Sequence, residues 1–430
     1  MGEGGFLFLK GEVMGIFKGY SEAPGFLFPG NGLGLDSEVK ILEWVSKTQL
    51  KFLGGTNSIP IKISNDWFFS SADIPIVVSD VLDTGSISNG KDYYVYACDD
   101  DGTLKFVVSL NSSYPSGFTA SNSRKIGGFH TLCADVGTIS GHALTGYSAN
   151  DILPASVWDL KHRPVSAPEG MVYCEAIDKW VDIYLASGTG ASMVSAYEGT
   201  ISDTRNWMDF VDDGHAVKKR LLEDDEFAAI AAGVREEAQI WTMADPVNTG
   251  GHTSYFLLMV DGTPTPNDWT AGDTLTGGTS GYTCTIVEKI TDTTYLCKNI
   301  SNATGFTASE TLTASGTGTG TASYSSWAAD SRGRIISDIG CEDAVGVLYQ
   351  WLVTSSAKLD DGTAAGWYDL AGDKGSFYTY GTNKYGNTQL LAGGNWNVAA
   401  CCGSRCRLAS DYRWNTDSRR GGRFRSEPKK

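Results

Sequence analysis

The chain is poor in positive charge: 34 Lys and Arg stand against 50 Asp and Glu, a net charge of -16. It therefore lacks the cationic surface that would release phosphate counterions, and a nucleic-acid partner is excluded. No 18 apolar residues run together, so no transmembrane helix and no membrane insertion is expected. The opening MGEGGFLFLKGEVMG is too short in its apolar patch, too acidic and too glycine-broken for a signal peptide, and nothing directs export. The nine cysteines are odd in number and show neither CxxC pairs nor Cys/His ligand spacing. They read as small buried hydrophobes made in a reducing compartment, not as a disulfide framework or a zinc site. His130, His142, His162, His215 and His252 are scattered, without HxH or HExxH, so no metal is expected. Phosphate-loop and nucleophile-elbow signatures, GxxxxGK[ST] and GxSxG, are missing as well, and no cofactor is implied.

What is present is length, glycine and aromatic residues. A chain of 430 residues suits two or three domains. Its 52 glycines, about 12%, sit among Thr and Ser and favour a turn-rich, β-dominated structure. Up to about residue 140 the runs 59–63, 74–78, 93–97 and 104–110 are β-branched or aromatic and bounded by Gly, Asp, Asn and Ser, the pattern of short strands. Asp101-Gly102 and Asn89-Gly90 suit hairpin turns. Farther on, MVYCEAIDKWVDIYLAS reads as two paired strands about a turn at Ile177-Asp178-Lys179.

The clearest helical region runs from Thr204 to Gln239, where Trp207, Phe210, Val211, Val217, Leu221, Leu222, Phe227 and Ile230 recur at three- and four-residue intervals. Gly214 and Gly233 are expected to break it. From 255 to 325 the chain becomes Thr/Gly-rich and repeats itself: AGDTLTGGTSGYTCT (271–285) echoes ASETLTASGTGTGTA (308–322). Two copies of a strand-turn-strand unit imply a small β-domain built by duplication. Ile286, Val287, Ile290, Tyr295, Leu296 and Ile300 alternate as strands between the copies. From Arg405 onward nine Lys and Arg meet three Asp and Glu, so positive charge collects at the C-terminal end.

Three segments, in order, resemble the formylglycine-generating-enzyme-like branch of the C-type lectin fold. RLLEDDEFAAIAAG (220–233) is similar to that family's helix motif, GVLYQWL (346–352) to its G-N-V-W-E-W-V, and GGNWNVAACCGSRCR (393–407) with GGRFRS (421–426) to its closing strands. Within that fold the C-terminal segment resembles the variable region of retroelement-diversified phage virion proteins of the major-tropism-determinant type, as do GGFHTLCADVGTISGHALTGY and DILPASVWDLKHRPVSAPEGMVY. The resemblance covers roughly three quarters of the chain, leaving out residues 1 to about 55 and the repeat. It implies an α+β architecture: a β-rich virion-attachment module over 1–140 and a C-type-lectin-like domain in two parts, 141–254 and 326–430. The β-domain, 255–325, is inserted between those parts.

The resemblance also implies a receptor-binding protein on the virion, at the tail-fibre tip or on the capsid surface, made in the host cytoplasm. It would be a homotrimer bound to other virion proteins, and its partner would be a host-cell surface receptor, protein or glycan. A capsid or tail decoration protein without a receptor role is the alternative. In the tail, Gly393, Gly394, Trp396, Gly403, Arg405, Arg407, Trp414, Gly421, Gly422 and Arg423 read as framework: close backbone approaches, aromatic core and carboxylate pairs. Between them lie Asn395, Asn397, Val398, Leu408, Ser410, Asp411, Tyr412, Arg413, Asn415, Thr416, Asp417, Arg419, Arg420 and Phe424, a mixture like an antibody paratope. Tyr412, Arg413, Arg419, Arg420 and Phe424 are the expected anchors. Cys402 and Cys406 invite comparison with the copper pair of the fold's oxidase namesake, but four-residue spacing aims two thiolates at one ion only on a suitable turn, and no enzyme is expected. Calcium-dependent sugar binding calls for E-P-N or Q-P-D followed by W-N-D; neither tripeptide occurs, and Trp414-Asn415-Thr416 is a fragment of the last.

Overall fold

A computed structural model describes residues 14–17, 39–57, 59–136, 141–234, 240–241, 249, 255–298, 301, 306–307, 309–316, 318–322, 335–358, 366–369, 376–379, 386–396 and 402–429. Strands dominate it. The chain divides into two units, Met1–Leu132 with Ala149–Met171 and Glu427–Lys430, and Cys133–Ser148 with Val172–Ser426.

In the first unit the apolar runs become strands Ile61–Ile63, Ile74–Val77, Asp92–Asp100 and Thr103–Ser109. Both Asp101 and Gly102 have positive φ, the twist that a two-residue hairpin loop needs, and they join the last two strands in register from Tyr94↔Ser109 to Asp100↔Thr103. Asn89-Gly90 is a turn, but it leads into Asp92–Asp100 instead of joining two paired strands, because a short helix, Val78–Val81, precedes it. Residues of these strands and of Gln49–Phe52, Asp66–Ser70 and Ser123–His130, among them Phe52, Ile61, Phe68, Val95, Phe106 and Phe129, bury into one cluster. Each such side chain contributes roughly 1.5–3 kcal/mol. Asp159, also buried, accepts hydrogen bonds from the backbone N–H of Ile41 (2.6 Å), Leu42 (3.1 Å), Lys161 (2.7 Å) and His162 (2.8 Å), so a carboxylate ties the strand Leu42–Ser46 to the loop after Asp159.

Two sheets of the second unit hold its C-terminal tail. One has the order Met171–Cys174, Lys179–Asp182, Phe424–Ser426, Arg220–Leu221; the other Gly366–Asp369, Ser376–Thr379, Gly403–Leu408, Gly386–Gly393, Tyr349–Lys358, Arg420–Gly421. The first pair are the two strands expected about Ile177-Asp178-Lys179, with Asp178 left-handed at φ +52°. The expected helical stretch resolves into helix Trp207–Ala216, strand Arg220–Leu221 and helix Asp224–Ile230. Asn206 starts the first helix by accepting from Met208 and Asp209 N–H while Asp209 caps it in return, worth about 1 kcal/mol. Gly214 does not break this helix. It lies inside it, where a Cβ would come within 2.9 Å of the Phe424 ring, so the glycine permits close packing. The strand between the helices forms because Arg220 and Leu221 pair with Arg425 and Phe424, a tertiary partner that overrides helical spacing.

The repeat lies in a seven-stranded sheet ordered Ile240–Trp241, Tyr255–Met259, Thr294–Lys298, Thr283–Thr291, Thr274–Gly277, Thr311–Ala314, Thr319–Thr321. It has its own core, including Leu258, Trp269, Leu275, Ile286, Tyr295 and Leu312; Ile300 lies outside the described residues. The two copies pair with each other, Leu275↔Ala314 and Gly277↔Leu312. Reciprocal hydrogen bonds, Gly278 N–H to Thr311 O (2.8 Å) and Ser315 N–H to Thr274 O (2.7 Å), mark a local two-fold relation. Leu275 faces Cys284 whereas Leu312 faces Gly320, so the second turn is one residue shorter, and Gly320 leaves room for the Trp269 ring.

Candidate functional site

The tail of the second unit begins as Gly403–Leu408, leaves the six-stranded sheet as a loop over 409–419, returns at Arg420–Gly421 and crosses to the other sheet as Phe424–Ser426. Main-chain bonds fix the loop's course. Gln389 N–H donates to Asp411 O (2.9 Å), Trp207 N–H to Arg413 O (3.0 Å), Asn415 N–H to Tyr412 O (3.0 Å) and Thr204 N–H to Asp417 O (3.3 Å).

The expected contact residues separate by burial. Arg413 and Thr416 are exposed, Leu408, Tyr412, Asn415, Asp417, Arg419 and Arg420 are half-buried, and Asn395, Ser410 and Asp411 are buried. Asn397 and Val398 lie outside the described residues. Phe424 is not solvent-facing: it is 0% exposed in the core with Phe210, Leu221 and Trp351. Its strand is flanked by Lys179–Asp182 and Arg220–Leu221, and helix Trp207–Ala216 packs close by through Phe210, ring centroids 6.4 Å apart.

One framework expectation also reverses. Trp414 is 65% exposed and stacks on Tyr412 at 4.8 Å and 4°, so the loop carries its indole outward on a tyrosine support instead of burying it. Arg405 is exposed near the start of the strand Gly403–Leu408, which places it at the surface without bearing on its expected pairing. Trp396 does pack beside Leu185, Ile201, Val347 and Leu348. Arg407 pairs with Asp224 and lies over the Phe227 ring. Arg425 pairs with Glu226 at 2.8 Å, and that same carboxylate accepts the Glu223 N–H at 2.8 Å, joining the helix motif to the last strand. Fully buried Arg423 donates instead to a ring of backbone carbonyls and to Gln350.

Around the aromatic pair the charges are matched. Arg413 lies over Trp207 at 4.7 Å and donates to Gln389 Oε1 (3.0 Å) and Ser355 Oγ (3.1 Å). Arg419 holds Asp417 through two bonds, 2.7 and 2.6 Å. Hydrogen bonding from that guanidinium pulls the Asp417 carboxyl down to about 2, since it favours the ionised form. Arg420 Nε meets Asp411 Oδ2 at 2.5 Å.

Beside this network opens a cavity of about 280 Å³ lined by Tyr349, Trp367, Tyr378, Asn395, Leu408, Ser410, Asp411, Arg419 and Arg420. Six of the sequence-derived contact residues thus converge on one concavity with three aromatic residues from outside the tail. Trp367 and Tyr378 stand edge to face on neighbouring strands, centroids 5.2 Å apart. Sequence reasoning passed over both, although WYDL (367–370) and SFYT (376–379) concentrate large rings in a Gly-rich context. Cys402 and Cys406 are both buried, and the Cys402 thiol lies 3.4 Å from Asn395 O.

Residues 43–159 match the family model described as Mtd second domain. The tail fiber receptor-binding protein of Bordetella phage BPP-1 is 30% identical over 206 residues, 43% of this chain and 50% of that protein. The chain therefore spans about half the length of that curated relative. Solved structures of the Major Tropism Determinant U1 and M1 variants superpose over 92% of this chain and 85% of theirs, each with a TM-score of 0.55, at 21% and 20% identity. The fold likeness thus extends beyond the three quarters of the chain expected from sequence motifs. The chain is similar to the major tropism determinants: residues 43–159 match the model of their second domain, and the fold likeness runs over most of its length.

Proposed function

We propose that this chain is a phage receptor-binding protein that attaches the virion to its host cell through the loop over 409–419 and the neighbouring cavity. The observation that carries the reading is the Tyr412–Trp414 stack: an indole 65% exposed on a loop whose backbone is pinned to Gln389, Trp207 and Thr204 and closed by an internal turn. Burying an exposed tryptophan against a partner is favourable, and rigid Trp, Tyr and Arg side chains dominate binding hot spots. The role named for the phage relative, a tail fiber receptor-binding protein, supports the same reading.

In this reading the protein sits on the virion tail, is made in the host cytoplasm, and acts by binding alone. The first unit serves attachment to other virion proteins; the second is a C-type-lectin-like display domain interrupted by the β insert; three copies associate so that weak single sites add by avidity. The anchors are Tyr412, Arg413 and Trp414, with Arg419 and Arg420 holding the cavity wall.

The test is adsorption. Trp414→Ala and Tyr412→Ala are expected to lower host binding by at least ~30-fold, as for a hot spot of about 2 kcal/mol, while the melting temperature moves little because the pair lies outside the core. Normal adsorption by both variants would place recognition elsewhere.

A further inference from the structure

We infer that the cavity beside the loop binds one neutral sugar ring, so that the receptor carries a glycan at this contact. The inference rests on the receptor-binding reading and specifies its ligand chemistry.

Charge comes first. Of the charges that line the cavity, Arg420 is paired with Asp411, and Arg419 with Asp417, which stands outside the lining, so both guanidiniums are already neutralised. An entering anion would have to win a guanidinium from the carboxylate that holds it, and an entering cation would meet both guanidiniums; each would have to disturb an existing ion pair. A neutral ligand need displace neither. Polarity comes second. Asp411, Ser410 and Asn395 put polar groups in the lining beside the half-buried Arg419 and Arg420 guanidiniums, and an apolar ligand would strip the remaining water from those guanidiniums without replacing its hydrogen bonds. A ligand rich in hydroxyls donates to the carboxylate and accepts from the guanidinium of the same Asp411–Arg420 pair, as vicinal sugar hydroxyls do.

Shape comes third. Trp367 and Tyr378 form an aromatic wall with rings at 70° to one another, and the C–H face of a pyranose lies flat on such a ring while its hydroxyls point to the polar side. Trp367 keeps 36% exposure, enough ring surface to receive it. At about 280 Å³ the cavity falls near the lower end of the roughly 300–1,000 Å³ typical of ligand pockets, room for a single ring but not for a peptide helix or strand. Wall and floor come from different parts of the second unit, the strands Gly366–Asp369 and Ser376–Thr379 on one side and the tail on the other.

The experiment titrates the purified full chain with methyl glycosides of neutral hexoses, 6-deoxyhexoses and N-acetylhexosamines, with glucuronic acid and glucosamine as charged controls, followed by saturation-transfer NMR and tryptophan fluorescence. A single ring of about a dozen heavy atoms should bind with a Kd on the order of 1 mM, and both charged controls more weakly. Trp367→Ala should weaken the preferred glycoside at least tenfold, while Val194→Ala, at an exposed side chain outside the cavity lining, should leave it within twofold. Asp411→Asn supplies a readout that misfolding cannot imitate: with Arg420 no longer paired, glucuronic acid should gain on the neutral sugar by at least tenfold. Arrays of bacterial polysaccharides and of glycopeptides then distinguish the carrier of the sugar. Absence of binding by every glycoside, or binding unchanged in Trp367→Ala, overturns the inference. If Trp414→Ala still abolishes adsorption in that case, receptor binding stands and the sugar does not; if adsorption is also normal, both fall.

Discussion

Replacing Arg423 by methionine tests how the second unit is held together. The guanidinium is fully buried and donates to five acceptors: Gln350 Oε1 at 3.0 Å and the backbone oxygens of Asp182 (2.8 Å), Ile183 (2.5 Å), Glu342 (2.6 Å) and Asp343 (3.3 Å). Burial itself lowers the Arg423 pKa, a sign that the charge is held at a cost met by those bonds. Methionine keeps much of the volume and supplies no donor. A buried acceptor deprived of its partner costs about 1–3 kcal/mol; with two or three of the five left unsatisfied after relaxation, the loss comes to about 3–5 kcal/mol. Against a typical stability of about 5–15 kcal/mol this is a large fraction. Urea unfolding followed by tryptophan fluorescence should show the transition that reports Trp180 and Trp351 moving to markedly lower denaturant. Arg423→Lys should recover little, because one ammonium cannot reach acceptors on both sides of a planar fork. If Arg423→Met unfolds within about 0.5 kcal/mol of the parent, the ring of carbonyls is not what the arginine serves.

Three further outcomes are expected. Because Arg419 holds the Asp417 carboxyl at about 2, below its ordinary 3.8, the pair's contribution is fully present above about pH 4 and is lost as pH falls through 2; carboxyl chemical shifts followed by NMR should show Asp417 titrating late, and Arg419→Gln should return it to the ordinary range. Burial pushes the thiols of Cys98 and Cys341 up to about 12, so at pH 8 iodoacetamide should modify them far more slowly in the folded chain than in urea, as mass spectrometry can score; fast labelling of either would contradict the burial. Residues 240–322 contain a complete sheet and its own core, and Val260 and Ala322 bridge each other; this segment expressed alone should melt cooperatively, and a molten product would mean that it depends on the rest of the unit.

The sequence exposed the strands of the first unit and the duplicated sheet because each presents period-two alternation on one buried face, as at Leu275 and Leu312. It was misleading where a segment is covered on both sides. Phe424 lies between two arginines that are themselves buried, so a run of alternating charged and apolar residues that looks half-solvated is wholly interior. Trp414 errs in the opposite direction, since hydrophobicity cannot tell a core tryptophan from one supported in water by a neighbouring ring. The helix spacing over 204–239 concealed the strand Arg220–Leu221, whose partner is some two hundred residues away in the chain. Likewise Trp367 and Tyr378 could not be joined to the tail from spacing alone, because only the parallel pairing of Ser376–Thr379 with Gly403–Leu408 brings them beside it.

The main-chain bonds that pin the 409–419 loop have a consequence for how this surface can change. A loop held through peptide N–H and C=O groups keeps its course whatever side chains stand at 412, 414 or 416, in contrast to one held by a particular side-chain lock. Substitution at those three positions alters the chemistry presented to the outside at little cost to folding, and many variants remain usable starting points for the next. The fixed requirements are confined to a few places, Arg423 and the Asp417–Arg419 clasp among them. If the loop is the receptor-binding face proposed above, novelty in what is recognised is thereby separated from the risk of losing the fold, and that face can drift on a scaffold that stays still.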